Sequence, residues 1–370
     1  LIVRSGPGSA DLVRSAPSRC SSPASLSAWR AVVLGAAAAL AACAPPPLPD
    51  AAPDYASLRG EIFGSTWALT WGPAASAPAP EVEAAVRATL DNLDARLSTW
   101  RADSEVSRLK LGPLMVAEDT AALIDLALDV SAASQGAFDP TVQPLMHLWG
   151  FRGQVPAQIP TDAEISAAKA HVGWERVRVT RDERGPTVDA GGADLDVAAI
   201  APGWAADRVA DAVAAVGATD IYVDVGGEAV LRGRAPSGNR WRIGIDTPEV
   251  GVAPGTDLTA VLAVSNAGLA TSGNYRSQRT IGGVTVGHTM DPRTGRPASH
   301  EVASVTVIAP TAAEADAWAT VLMVLNLDDG QALLRRRTEL DALWVLREDA
   351  GYRQVLSDGM TAWLPPAQRD

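Results

Sequence analysis

Between residues 221 and 308 one extended run follows another, at 221–225, 229–232, 240–246, 259–265, 284–288 and 302–308. Two more stand near the end, at 342–347 and 352–356, and others at 61–71, 176–180, 187–189 and 195–197. Strands that succeed one another this directly argue against a doubly wound parallel sheet, in which helix and strand alternate. Helices are nevertheless present. Val82, Ala85, Val86, Leu90, Leu93 and Leu97 recur at helical spacing over 81–97. Further helices are expected at 117–133, at 140–149 with Pro140 in the first turn, at 203–216 closed by Gly217, at 312–325 and at 329–336. Residues 150–160 read as a loop. The fold class is α+β, with mixed or antiparallel sheets, and no internal repeat is evident.

Hydrophobic residues make up 47% of the 370 and charged residues 20%, values that exclude a disordered chain. The net charge is −12, and the first 42 residues carry +3 of it, leaving −15 for the remainder. A domain this acidic is poorly suited to gripping a nucleic-acid backbone. Residues 31–42 form an apolar run behind Arg30, too short for a permanent membrane span of roughly 20 residues. A basic flank, a short apolar stretch and small residues describe a signal peptide. The run ends Leu40-Ala-Ala-Cys43, which resembles a bacterial lipobox, in which Cys43 is acylated and becomes the first mature residue. Residues 1–42 are therefore read as a signal peptide with an N-terminal extension, 43–58 as a lipidated Cys and Pro/Ala tether, and 59–370 as the functional domain. The expected location is outside the cytoplasm, lipid-anchored to a bacterial membrane and facing the periplasm or the exterior. Cys20 and Cys43 are the only cysteines, so the domain holds no disulfide, thiolate metal site or Cys nucleophile.

Four clusters carry residue types that invite chemistry. Gly136-Ala-Phe-Asp-Pro-Thr141 is followed by Leu148-Trp-Gly-Phe151; Asp139 there is equally a helix cap. Asp194-Leu-Asp-Val-Ala-Ala-Ile-Ala-Pro-Gly203, then Asp207, joins a strand to a helix through small residues that let backbone approach a ligand, or that simply make a tight turn. Thr271-Ser-Gly-Asn-Tyr-Arg276 precedes His288-Thr-Met-Asp-Pro-Arg-Thr-Gly-Arg-Pro297. A turn needs Gly and Pro, but not a His and two arginines. His288 suits a general base, while Arg293 and Arg296 suit phosphate or hold the loop. Finally, Asp316 and Thr320 are four apart on a helix and share a face, offering oxygen ligands to a hard cation such as Mg²⁺.

Taken in order, these clusters resemble the ApbE family of FAD:protein FMN transferases. Phe63-Gly-Ser-Thr-Trp67, Leu97-Ser-Thr-Trp100, Asp103-Ser-Glu-Val-Ser-Arg108, Asp224-Val-Gly-Gly-Glu228 and Ser304-Val-Thr-Val307 extend the likeness from about Gly60 to about Leu356. The resemblance implies an ApbE-like, T-fold-related α+β architecture with two lobes around a flavin cleft. It also implies a reaction: FAD is cleaved at its pyrophosphate, FMN is joined by a phosphoester to a Thr or Ser of a target protein, AMP leaves, and Mg²⁺ is required. Carried over residue by residue, it makes Asp316 and Thr320 side-chain ligands of Mg²⁺ and Ala199 a carbonyl ligand. Phe63, Trp100, Ala137, Phe138, Asp139, Asp196 and Met290 become FAD contacts, and His288 the group that deprotonates the target hydroxyl.

The chain departs from its relatives in having Pro202 where many have Lys, Phe63-Gly-Ser65 for Met-Gly-Thr, and Ala for Gly after Asp196. The target implied is an exported or membrane redox protein, by analogy a subunit of an Rnf- or Nqr-type complex or a regulator of nitrous oxide reductase. Two alternatives stand beside transfer: an Mg²⁺-dependent FAD pyrophosphatase releasing FMN and AMP, and a lipoprotein that binds FAD without chemistry.

Overall fold

The computed structural model describes residues 2–3, 54–275 and 277–365. Cys43 and the whole stretch assigned to the signal peptide, lipid anchor and most of the tether lie outside them, apart from Ile2 and Val3. No helix among the described residues is long and apolar enough to cross a membrane.

The body is built on an eight-stranded sheet: β1 (Ala56–Ile62), β2 (Ser65–Gly72), β3 (Asp220–Val225), β4 (Glu228–Arg232), β5 (Ala267–Gly273), β6 (Val302–Ala309), β7 (Asp341–Glu348) and β8 (Gly351–Leu356). Each strand neighbours the next in the chain, and every pair is antiparallel. The expected mixed or antiparallel α+β class is thus observed, with the antiparallel option realised throughout this sheet. The single extended run read at 61–71 is instead a hairpin. Phe63 and Gly64 both take positive φ, 54° and 75°, and fold β1 back on β2 through a two-residue turn. Gly64 was the signal for that break. Gly226 and Gly227, at φ 73° and 114°, do the same between β3 and β4.

Three helices cover one face: α1 (Ala79–Leu97), α2 (Ala201–Val216) and α3 (Ala312–Val324). Helix α1 buries Val82, Val86, Leu90, Leu93 and Leu97, the stripe expected from its spacing. Helix α3 is buried almost all round because it lies between the sheet and the other helices. The hairpin Trp241–Asp246 and Leu258–Val264 covers the opposite face of the sheet. Strand side chains therefore alternate between two apolar layers: Trp344 and Leu346 face the helices, Leu343 and Val345 the hairpin. This is why β6 is buried at all eight positions.

A third, smaller core gathers Leu145, Trp149, Ile165, Ile281 and Met290. It unites the helices Gln143–Leu148 and Asp162–Lys169 with the hairpin Gln278–Ile281 and Val284–Gly287. The helix at Asp162 had a readable start in Thr161 and Glu164, which form a reciprocal capping box. Residues 195–197, expected as a strand, form an irregular loop pinned where the Asp196 N–H donates to the Pro140 carbonyl at 2.7 Å. Strand Val284–Gly287 stops one residue short of His288.

Candidate active site

A cleft of about 420 Å³ lies between the small third core and the sheet. Its wall includes Ala137, Phe138, Asp139, Asp196, Ala199, His288, Met290, Asp316 and Thr320. Residues up to 183 positions apart in the chain, and read separately as candidates, meet on one surface.

The acidic floor is set by two helix ends. Asp316, on α3, accepts from the Gly203 N–H in the first turn of α2 at 3.2 Å. In return Asp207, on α2, accepts from the Ala312 and Ala313 N–H groups that open α3, at 3.0 and 2.9 Å. Each helix thus caps the other, satisfying amides that have no partner within their own helix. Gly203 is required for this approach, since a Cβ there would lie 2.3 Å from the Ala312 carbonyl oxygen. Pro202 fits the same turn, where no intrahelical N–H bond is needed. Burial pushes the Asp207 carboxyl up to about 6 and that of Asp316 up to about 7, in each case against the pull of the amides it accepts from. Glu228, at the start of β4, also lines the cleft, and burial together with Asp316 and Asp224 raises it well above the carboxylate range.

Above Asp316, one turn along α3, the Thr320 hydroxyl lies 3.4 Å from that of Ser272 on β5. Ala199 sits in the turn that leads into α2. Among the described residues no three His, Cys, Asp or Glu side chains cluster as a metal centre. The residues that do share the cleft wall there offer oxygens: the Asp316 carboxyl, the Thr320 hydroxyl and the turn at Ala199, with the raised Glu228 carboxyl on the same wall. Such a set fits a hard divalent cation that takes few protein ligands, and an added positive charge would relieve the cost of holding Asp316 buried.

His288 faces the cleft from the end of the overhanging hairpin, its N–H donating to the Ser277 carbonyl at 3.1 Å. The imidazole Nδ1 is buried without a hydrogen-bond partner, and the Phe151 ring stands edge-on at 6.5 Å. Burial, reinforced by Arg279, holds the imidazole below its ordinary value, so it is neutral at pH 7 and able to accept a proton.

The remaining candidates divide. Asp139 lines the cleft, but its oxygens are engaged by the Thr141 N–H and hydroxyl at 2.8 and 2.6 Å and by the Trp174 N–H at 3.1 Å. It secures the loop more than it caps a helix. Asp196 accepts from the Ala198 N–H at 3.0 Å and pairs with Arg152 at 3.3 Å. Phe63 and Trp100 do not line the cavity. Phe63 turns the β1–β2 hairpin and packs on the main core. Trp100 is 75% exposed and touches the site only through Arg152, whose guanidinium carbon lies 5.2 Å from its ring. Of the two readings for Arg293 and Arg296, the loop-holding one applies. Arg293 binds Asp291 at 2.9 Å and Arg296 binds Asp162. Arg152 and Glu228 received no role from the sequence. Arg152 follows Trp149-Gly-Phe151 directly and Glu228 ends Asp224-Val-Gly-Gly-Glu228, so both were adjacent to recognised segments.

The ApbE family model matches residues 63–344. The FAD:protein FMN transferase of Salmonella typhimurium is 35% identical over 348 residues, covering 90% of this chain and 97% of that protein. Its counterpart in Escherichia coli K12 is 33% identical over 352 residues, covering 92% and 98%. The apo flavinyl transferase ApbE of Pseudomonas stutzeri superposes with a TM-score of 0.73 at 33% identity, over 84% of this chain and 96% of that one. Flavin transferase ApbE from Vibrio cholerae gives 0.73 at 30% identity, over 84% and 99%. With the cleft, its oxygen donors and its half-buried histidine all carried on the matched segment, this chain belongs to the ApbE family.

Proposed function

We propose that this chain transfers FMN from FAD to a Thr or Ser hydroxyl of a target protein and releases AMP. The observation that carries the reading is the meeting on one cleft of the His288 imidazole, whose Nδ1 is buried without a partner, and the Asp316–Thr320 oxygen pair. The His288 imidazole takes the proton of the incoming hydroxyl. The hydroxyl oxygen forms a new bond to the FMN phosphorus as the phosphoanhydride P–O bond breaks, and AMP departs with that electron pair. Asp316, Thr320 and the Ala199 carbonyl hold Mg²⁺. When bound, the cation neutralises charge developing on the phosphate oxygens. Asp196 and the apolar wall of Ala137, Phe138 and Met290 seat the flavin dinucleotide, with Phe63 and Trp100 outside the cavity contributing to its approaches. The target is an exported redox protein, and the anchor is Cys43.

The test combines the purified chain, FAD, Mg²⁺ and a peptide bearing an Asp-Gly-x-Thr acceptor, with the peptide weighed by mass spectrometry. A gain of one FMN less water, abolished by EDTA and by Asp316→Ala, is expected. Free FMN and AMP with an unmodified peptide would assign the chain to pyrophosphate hydrolysis instead, and intact FAD would assign it to binding alone.

A further inference from the structure

Among the described residues of the cleft wall, Arg152 is the one arginine or lysine, on a lining that also holds Asp139, Asp196, Glu228, Asp246 and Asp316. A diphosphate ester entering such a wall meets few cations, since the two arginines suggested by sequence are spent on Asp291 and Asp162. Arg152 is held differently. Its side chain is 19% exposed. One terminal nitrogen, Nη2, reaches Asp196 only at 3.3 and 3.4 Å, and Nε is buried with no partner. The Trp100 indole lies 5.2 Å away over the guanidinium. A ring against the guanidinium leaves its in-plane donors for oxygen acceptors, the planar fork that matches a phosphate. A buried Nε–H without an acceptor is costly unless a ligand completes its bonding.

We propose that Arg152 is the cleft's phosphate-binding cation, taking the diphosphate of the dinucleotide, with Asp196 and Trp100 as the residues that position it. In this chain it supplies the positive charge that Pro202 cannot. The proposal rests on the transferase reading for its ligand, but its test reads binding and not turnover.

Dissociation constants for FAD, ADP and riboflavin are measured in EDTA for the wild type, Arg152→Gln and Arg152→Lys. Loss of a charge-assisted pair should weaken FAD and ADP about tenfold to a hundredfold in Arg152→Gln. Riboflavin, which has no phosphate, should bind as before, and Arg152→Lys should recover part of the loss. Steady-state kinetics should show a higher KM for FAD in Arg152→Gln, recovered in part by Arg152→Lys. Unchanged FAD and ADP affinity in Arg152→Gln overturns the assignment. So does an equal loss for riboflavin, which would mark Arg152 as a packing residue only. A wild type that binds FAD and ADP but transfers nothing would overturn the transferase reading while leaving this assignment standing. A wild type that binds neither overturns both.

Discussion

Gly203→Ala tests the reciprocal helix caps at their tightest point. The new Cβ would sit 2.3 Å from the Ala312 carbonyl oxygen, 2.6 Å from its carbon and 2.9 Å from the Ala313 Cα. All three are backbone atoms, so no side chain can swing aside and the two helices must part. Overpacking of this kind costs about 1–3 kcal/mol, and backbone contact places it at the upper end. Alanine returns at most about 1 kcal/mol of helix propensity. The net loss is therefore about 2 kcal/mol, which lowers the Tm of a domain this large by about 3 °C. Parting the helices also strains the Gly203 N–H bond to Asp316, so FMN transfer should fall together with stability. Urea denaturation and the peptide-flavinylation assay read the two effects. Gly268→Ala presses on the same turn from the sheet side, where a Cβ would lie 2.2 Å from the Ala312 nitrogen, and should cost a similar amount. A Gly203→Ala protein within about 0.5 kcal/mol of wild type and fully active would refute the reasoning, because surface-like tolerance has that size.

Two pH dependences follow from the buried groups. Because burial and Arg279 hold the His288 imidazole below its ordinary value, the acid limb of kcat/KM should fall below pH 6.5. Arg279→Gln should move that limb upward, and a wild-type limb above 6.5 would contradict the assignment. Asp207 has a folded value of about 6 against 3.8 unfolded, so its contribution is fully present below pH 3.8 and lost as pH rises through 6. The loss is on the order of 3 kcal/mol. Asp207→Asn should flatten the decline in denaturation free energy between pH 4 and 7, whereas an unchanged slope would place the titration elsewhere.

Much of the site was legible because its signals are local. His288, Asp316 and Thr320 were identifiable from residue type and short-range spacing, and α1 from the repeat of Val82, Val86, Leu90, Leu93 and Leu97. The β1–β2 hairpin was missed although Gly64 marked it, since Phe63 is an unusual residue at positive φ and hid a two-residue turn inside an alternating run. Strand β5 was passed over because Ala267–Gly273 has few β-branched residues; it is held by pairing on both sides.

Composition, periodicity and motif order, read along the chain alone, determined the α+β class, the exclusion of cysteine chemistry and the family. Each depends on residues near one another or on their totals. Tertiary structure decided which candidates share a surface. It placed Arg152 against Asp196 across 44 residues and left Arg293 bound to Asp291. It set Asp207 and Asp316 to cap each other's helices across more than a hundred positions. Linear spacing carries no record of such pairings, because they arise when helix packing brings distant backbone amides beside a carboxylate in a place water cannot reach.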